Sequence, residues 1–203
     1  MEDAATRAAA AVRRLGHALV AHVIEPDDLA RLALEADQWA ELLESRPAYE
    51  RTIEDMRRDL LAEEPADGAV MRHFDRCPVC GPHHPFAVSF VPRRDGDEVS
   101  AAVLLGAGCE GAPGRAHGGV VAALFDDATA YLGRIHHHVW FGGELRVRYL
   151  RPTPVGVPLE VRARIAGVDG RKVFTEASAS AGGVVVAEAA CTKLLVPPPG
   201  ERA

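Results

Sequence analysis

The residues best suited to chemistry lie in one short stretch. Gly111-Ala112-Pro113-Gly114-Arg115-Ala116-His117-Gly118-Gly119 runs directly into Val120-Val121-Ala122-Ala123-Leu124-Phe125-Asp126-Asp127. Glycines where a loop enters a helix let a ligand approach the backbone, and Gly114, Gly118 and Gly119 are such positions. The first turn of a helix presents unpaired N–H groups and the positive end of its dipole. Together these suit an anion, or an oxygen that becomes anionic as a bond forms. A tight turn needing glycine for positive φ explains the same glycines equally well. Two acids follow inside the helix. Either Asp126 or Asp127 could accept a proton from water, or simply face solvent. His117 orients the loop, touches a substrate carbonyl, or is a structural histidine.

Other reactive side chains carry weaker signals. Cys77 and Cys80 with His83 and His84 have the look of a zinc knuckle. A single C-x-x-C without a second pair is outweighed by a loop that shapes a pocket, so no metal is expected. His136-His137-His138 follows the helix and reads as a cap or a solvated run, favoured there by the helix dipole. Cys109 and Cys191 read as small packing residues, with no basic partner nearby to make them nucleophiles.

The elements that must position these groups can be read from hydrophobic period. The chain has 203 residues, 48% apolar and 26% charged, a globular composition. A chain of this length buries roughly 70% of its unfolded surface without disulfides, and four unevenly spaced cysteines form no framework. Apolar residues recur at helical spacing over Ala5–Val23 and Asp27–Leu61, broken at Pro26 and Pro47, which predicts two or three amphipathic helices. A further helix is expected from about Gly118 to Ile135, with an apolar stripe of Val121, Leu124, Phe125, Ala128, Tyr131, Leu132 and Ile135. Asp126 lies off this stripe beside Ala122, Thr129, Ala130 and Gly133, a small-residue face where another helix could approach. Short apolar runs at 86–91 and 99–105 flank a charged connector, Arg93–Asp97, and a Gly- and Pro-rich loop covers 106–116. Beyond the helix, Leu145, Val147 and Tyr149 alternate with arginines. Leu159, Val161, Ala163 and Ile165 do the same, and Val173–Ser180 and Val184–Val196 follow after Asp169-Gly170 and Gly182-Gly183. Pro197-Pro198-Pro199 ends the last strand. The expected fold is α+β, a mostly antiparallel six-stranded sheet wrapped around one long helix.

Charge divides the chain. Residues 1–65 hold eight arginines against fifteen acids, a net of −7, while residues 66–203 carry a net of +1. This balance argues against a nucleic-acid partner, and the acidic part reads as a solvated helical face. No run approaches the ~18 apolar residues of a membrane helix. The start of the chain, with Glu2, Asp3, Arg13 and Arg14, does not resemble a secretory signal. A cytoplasmic protein with no membrane partner is expected.

Three motifs now acquire a common meaning. The Gly114–Asp126 run, the strand motif Tyr149-Leu150-Arg151-Pro152-Thr153-Pro154 with Gly156, and Cys77-Pro78-Val79-Cys80-Gly81 resemble the hotdog-fold acyl-CoA thioesterases of the PaaI-like group. The likeness covers roughly residues 74–196. It implies a hotdog domain over 66–203, with 1–65 as a helical extension that has no counterpart in the motifs. It further implies hydrolysis of an acyl-CoA without a cofactor. In that pattern the carboxylate nine positions after His117 is Asp126, as general base or nucleophile. The Gly118 N–H is the main oxyanion donor, with Gly119 in support. Gly114 and Glu144 are candidate substrate contacts. Arg171-Lys172, just after the Asp169-Gly170 turn, with Arg115 and Arg151, either meet coenzyme A phosphates or are simply solvated.

The chain departs from the pattern twice. Gly111 stands where the group often has Asn or Gln. Phe141-Gly142-Gly143-Glu144 lacks the Ser or Thr that often faces the aspartate, so Glu144 or the backbone must substitute. A non-catalytic module that senses acyl-CoA is therefore the competing reading, and a hydratase fits the motifs less well. One geometric consequence is independent of family. Asp126 follows Gly118 by eight residues, about 12 Å along a helix. Both would need to lie roughly 3 Å from one reacting centre. Two copies of the chain must then contribute to each site, as a homodimer or a dimer of dimers.

Overall fold

The computed structural model describes residues 3–72, 74–88 and 90–196. Three helices come first: α1 (Ala4–Ala21), α2 (Pro26–Glu44) and α3 (Ile53–Leu61). Their starts follow local chemistry. The Asp3 carboxylate accepts from the Thr6 N–H, Pro26 opens α2 with Asp27 and Asp28 in its first turn, and Thr52 and Asp55 form a reciprocal capping box on α3. Tertiary contact is uneven among them. Helix α2 buries no residue and leaves Leu34, Trp39 and Leu43 exposed. Helix α1 is tied down: Arg13 donates to the His84 carbonyl at 2.9 Å, and the Gly108 N–H donates to His17 Nδ1 at 2.7 Å. A Cβ at Gly106 or Gly108 would stand 2.9 Å from the His17 ring, so these glycines admit the helix.

The remainder is one sheet around one helix. Strands β1 (Val91–Asp95) and β2 (Glu98–Leu104) lead, through a 3-10 turn at Ala107–Cys109, to short β3 (Glu110–Ala112) and β4 (Arg115–Ala116). Then come α4 (Gly118–Ile135), β5 (Trp140–Tyr149), β6 (Pro158–Asp169), β7 (Lys172–Ala181) and β8 (Val184–Leu195). Six strands pair antiparallel in the order β1-β2-β6-β7-β8-β5, while β3 and β4 form a separate ribbon. The α+β hotdog arrangement expected from sequence is the observed fold. Helix α4 has the anticipated span, and all seven residues of its stripe are buried. They rest on inward residues of β6, β7 and β8, many of them alanine (Ala163, Ala177, Ala179, Ala187, Ala189), whose small side chains let the helix lie close to the sheet. Fully burying each large member stabilises the fold by about 1.5–3 kcal/mol.

Two expectations change. The first strand starts at Val91, and Arg93, Arg94 and Asp95 belong to it rather than to a connector; the turn is Gly96-Asp97, with Gly96 at φ +60°. Its charges hid the alternation. As an edge strand it tolerates Pro92, which lacks an N–H, and Arg94 reaches Glu64 at 2.6 Å. The 106–116 loop also contains the β3–β4 ribbon. The turns at Gly170 and Gly182-Gly183 have the positive φ that tight hairpins require. Pro197, Pro198 and Pro199 lie outside the described residues. At the other edge, β5 buries only Trp140, and its outer side has no strand partner among the described residues. No described helix is long and apolar enough to cross a membrane.

Candidate active site

The loop before α4 is held by the very strand motif that lies far from it in sequence. The Tyr149 hydroxyl donates to the Gly118 carbonyl at 2.8 Å, and the Ala116 N–H donates to the Thr153 carbonyl at 2.9 Å. Arg115 pairs with Pro154, and the Gly156 N–H donates to Leu105. Two separate sequence signals are thus one structural unit that fixes where the helix begins.

His117 is the N-cap of α4, with its Nδ1 accepting from the Gly119 N–H at 3.0 Å. His117 thus caps the turn, and the Gly119 N–H is engaged with its ring. The Gly118 N–H has no acceptor among the described residues and stands at the positive end of the helix dipole. A Cβ on Gly118 would lie 3.1 Å from the Tyr149 hydroxyl, so a side chain here would press on that contact. Gly111 is similarly constrained. A Cβ there would lie 2.9 Å from the His117 Cα, which leaves no room for the amide side chain the family pattern often has. Gly114, at φ +71°, shapes the turn and donates its N–H to Glu110 at 2.8 Å.

Asp126 is 60% exposed at its side chain and pairs at 2.7 Å with the Nζ of Lys193, itself only 2% exposed. Lys193 was not singled out from the sequence, though a signal existed. In β8 the inward positions are Ala187, Ala189 and Cys191, and Lys193 is the next in that alternation. A lysine on the buried side of a strand needs a partner, and Asp126 supplies it. Gly142 lies opposite Lys193 in the ladder, and a Cβ on it would be 3.7 Å from Asp126 Oδ1. This is the position where the family hydroxyl is missing, and the lysine ammonium occupies the same neighbourhood. The Glu144 carboxylate is exposed and lies 3.4 Å from the Arg146 guanidinium.

Of the small-residue face beside Asp126, Thr129 and Gly133 are packed inside their own chain, while Ala122 and Ala130 are half-buried. Thr129 is fully buried, and Gly133 lies against Trp140 and the His138 carbonyl. Arg171 and Lys172 are exposed at the β6–β7 turn, at the end of the sheet that carries Lys193: Lys172 pairs with Leu194 and Val173 with Lys193. Arg171 spends part of its guanidinium on the Leu195 carbonyl, and Arg151 donates to Val185. A groove of about 520 Å³ lies elsewhere, on the outer face of the sheet, where Arg162 and Arg164 are neutralised by Asp95, Glu98 and Glu176.

Asp127 differs completely from its neighbour. Only 9% exposed, it lies 3.4 Å from the Cys77 sulfur, and Cys80 lies in the same cluster with the Tyr131 hydroxyl 3.1 Å away. Burial, reinforced by Cys77, pushes its carboxyl up to about 8. The Cys80 hydrogen bond, with backbone N–H groups, holds the Cys77 thiol down at about 5, while the same contact and burial push Cys80 upward. The cluster therefore favours one negative charge, on Cys77.

A long helix cradled by this antiparallel sheet defines a hotdog-fold protein. Residues 113–188 match the family described as the thioesterase superfamily. A crystal structure described as a thioesterase superfamily protein superposes with a TM-score of 0.80 at 28% identity, covering 96% of this chain and 92% of its own. That coverage includes helices α1–α3, so the N-terminal region has a structural counterpart after all. Acyl-coenzyme A thioesterase THEM4 of Xenopus laevis is 36% identical over 70 residues, 32% of this chain and 30% of that protein. The chain therefore spans less than a third of that relative's length.

Proposed function

We propose that this protein hydrolyses an acyl thioester, with acyl-CoA as the substrate class, and that each site is shared between two copies of the chain. The observation that carries the reading is the placement of two groups on α4: a Gly118 N–H at its start with no acceptor among the described residues, and an Asp126 carboxylate, anchored by buried Lys193, two turns later. Water adds to the carbonyl carbon as Asp126 accepts its proton. The Gly118 N–H of the other copy stabilises the oxygen that becomes negative. Collapse of that intermediate breaks the C–S bond, giving the free acid and the thiol after proton return. Exposure of Asp126 supports access for water, and the unpaired outer side of β5 is the edge on which a second copy would extend the sheet. Gly114, Arg171 and Lys172 are assigned to substrate binding, and residues 1–65 are read as an appendage to a hotdog domain over 66–203.

The test is thiol release from a panel of acyl-CoAs by wild type and Asp126→Asn. Turnover lost in a variant that keeps its fold supports the reading. Binding without turnover in wild type overturns it in favour of an acyl-CoA sensor. Sharing is tested by mixing Asp126→Asn chains with Gly118→Val chains. Two inactive variants should recover about a quarter of wild-type activity through mixed dimers, whereas sites within one chain would recover none.

A further inference from the structure

The Cys77–Gly81 turn is built like a metal knuckle. The Val79 N–H donates to Cys77 Sγ at 3.4 Å, and the Gly81 N–H donates to the Cys77 carbonyl at 2.9 Å. Gly81 is obligatory, since a Cβ there would fall 2.4 Å from the Cys77 nitrogen. The histidines that follow turn elsewhere. His83 pairs with Asp3, and His84 Nδ1 accepts from the Phe86 N–H. In their place α4 delivers Asp127. The two sulfurs and a carboxylate oxygen all lie within 4.8 Å of one another, and Asp127 Oδ2 is buried with no hydrogen-bond partner among the described residues.

We propose that Cys77, Cys80 and Asp127 are the protein ligands of a thiophilic divalent metal ion, zinc by their chemistry, which fastens the 74–88 segment to α4. Two thiolates and a carboxylate suit zinc, with Zn–S near ~2.3 Å and Zn–O near ~2.1 Å, which puts a tetrahedral S···O edge at about 3.6 Å. The Cys77 Sγ to Asp127 Oδ1 separation is 3.4 Å. The backbone N–H on Cys77 Sγ is the kind of outer contact that stabilises a metal thiolate. Both cysteines are only partly buried, which leaves an entry path, and the fourth corner falls to solvent. The ion would sit one residue from Asp126 and fix the rotational setting of α4 there, without touching the thioester.

The full chain, purified under reducing conditions without chelator, is assayed for metal by mass spectrometry and loaded with cobalt(II) as a spectroscopic probe. About one equivalent per chain is expected, with thiolate-to-cobalt absorption in the near ultraviolet. Cys77→Ser and Cys80→Ser should abolish both, Asp127→Asn should weaken both, and Cys109→Ser and Cys191→Ser should leave them intact. Should the serine variants fail to fold, wild type melted with and without chelator gives the answer: a loss of melting temperature restored by zinc is expected. Reduced wild type that takes up neither zinc nor cobalt overturns the proposal. So does metal retained by both serine variants. A Cys77–Cys80 disulfide that binds nothing even after reduction also overturns it, and would mark the pair as a redox couple instead.

Discussion

Asp126 and Asp127 are identical in type and adjacent in the chain, yet helix α4 delivers them to opposite environments. One step of a helix turns a side chain by about 100°. That is enough to leave Asp126 exposed against the ammonium of Lys193 and to bury Asp127 among two thiols. The first keeps an open side from which water can reach it. The second has exchanged water for sulfur, and its carboxyl holds a proton to about pH 8 because burial disfavours the charge. A carboxylate acquires a role through what its position on the helix lets it meet.

The sharpest way to break the contrast is to remove each charge in turn. Asp126→Asn should lower thiol release by about 10²–10⁴-fold, while the melting temperature stays close to wild type because the amide oxygen still accepts from Lys193. Lys193→Met removes the anchor and keeps the bulk. A hydrogen bond to a charged group contributes about 1.5–3 kcal/mol, so turnover should fall roughly ten- to a hundredfold, measured with saturating acyl-CoA. Tyr149→Phe releases the Gly118 carbonyl from the strand motif. One neutral hydrogen bond, about 0.5–1.5 kcal/mol, predicts a two- to tenfold loss and a lower melting temperature. On the other face, Asp127→Asn should alter thiol release by less than about threefold, an effect within ~0.7 kcal/mol. A loss as large as that of Asp126→Asn would show that the two acids had been assigned the wrong way round. The smallest change is expected from Gly142→Ser. Its Cβ makes ordinary contact with Asp126 Oδ1, so the hydroxyl should fit and leave turnover within about twofold.

Much of this arrangement was legible in one dimension. The α4 stripe has a period that only a helix can bury on one side, and its seven residues are all inside. The hairpins at Gly170 and Gly182-Gly183 follow from glycine at positions of positive φ. Strand β1 was misplaced because Arg93, Arg94 and Asp95 carry no apolar alternation, and their place in the ladder depends on β2. Lys193 could have been found by continuing the alternation of β8 inward, whereas its partner could not. Nothing in Gly119 announces that its N–H is spent on His117, because that depends on the rotamer of the capping side chain.

The amino-acid order by itself determined the elements, the helix start with its glycines, and the separation of Gly118 from Asp126. These are consequences of local periods and of a fixed rise per residue. Tertiary structure alone decided which acid met the lysine and which met the cysteines. Cys77 stands 50 residues before Asp127 and Lys193 stands 67 after Asp126. Contacts at such range are set by how the sheet closes around the helix, and no local preference encodes them.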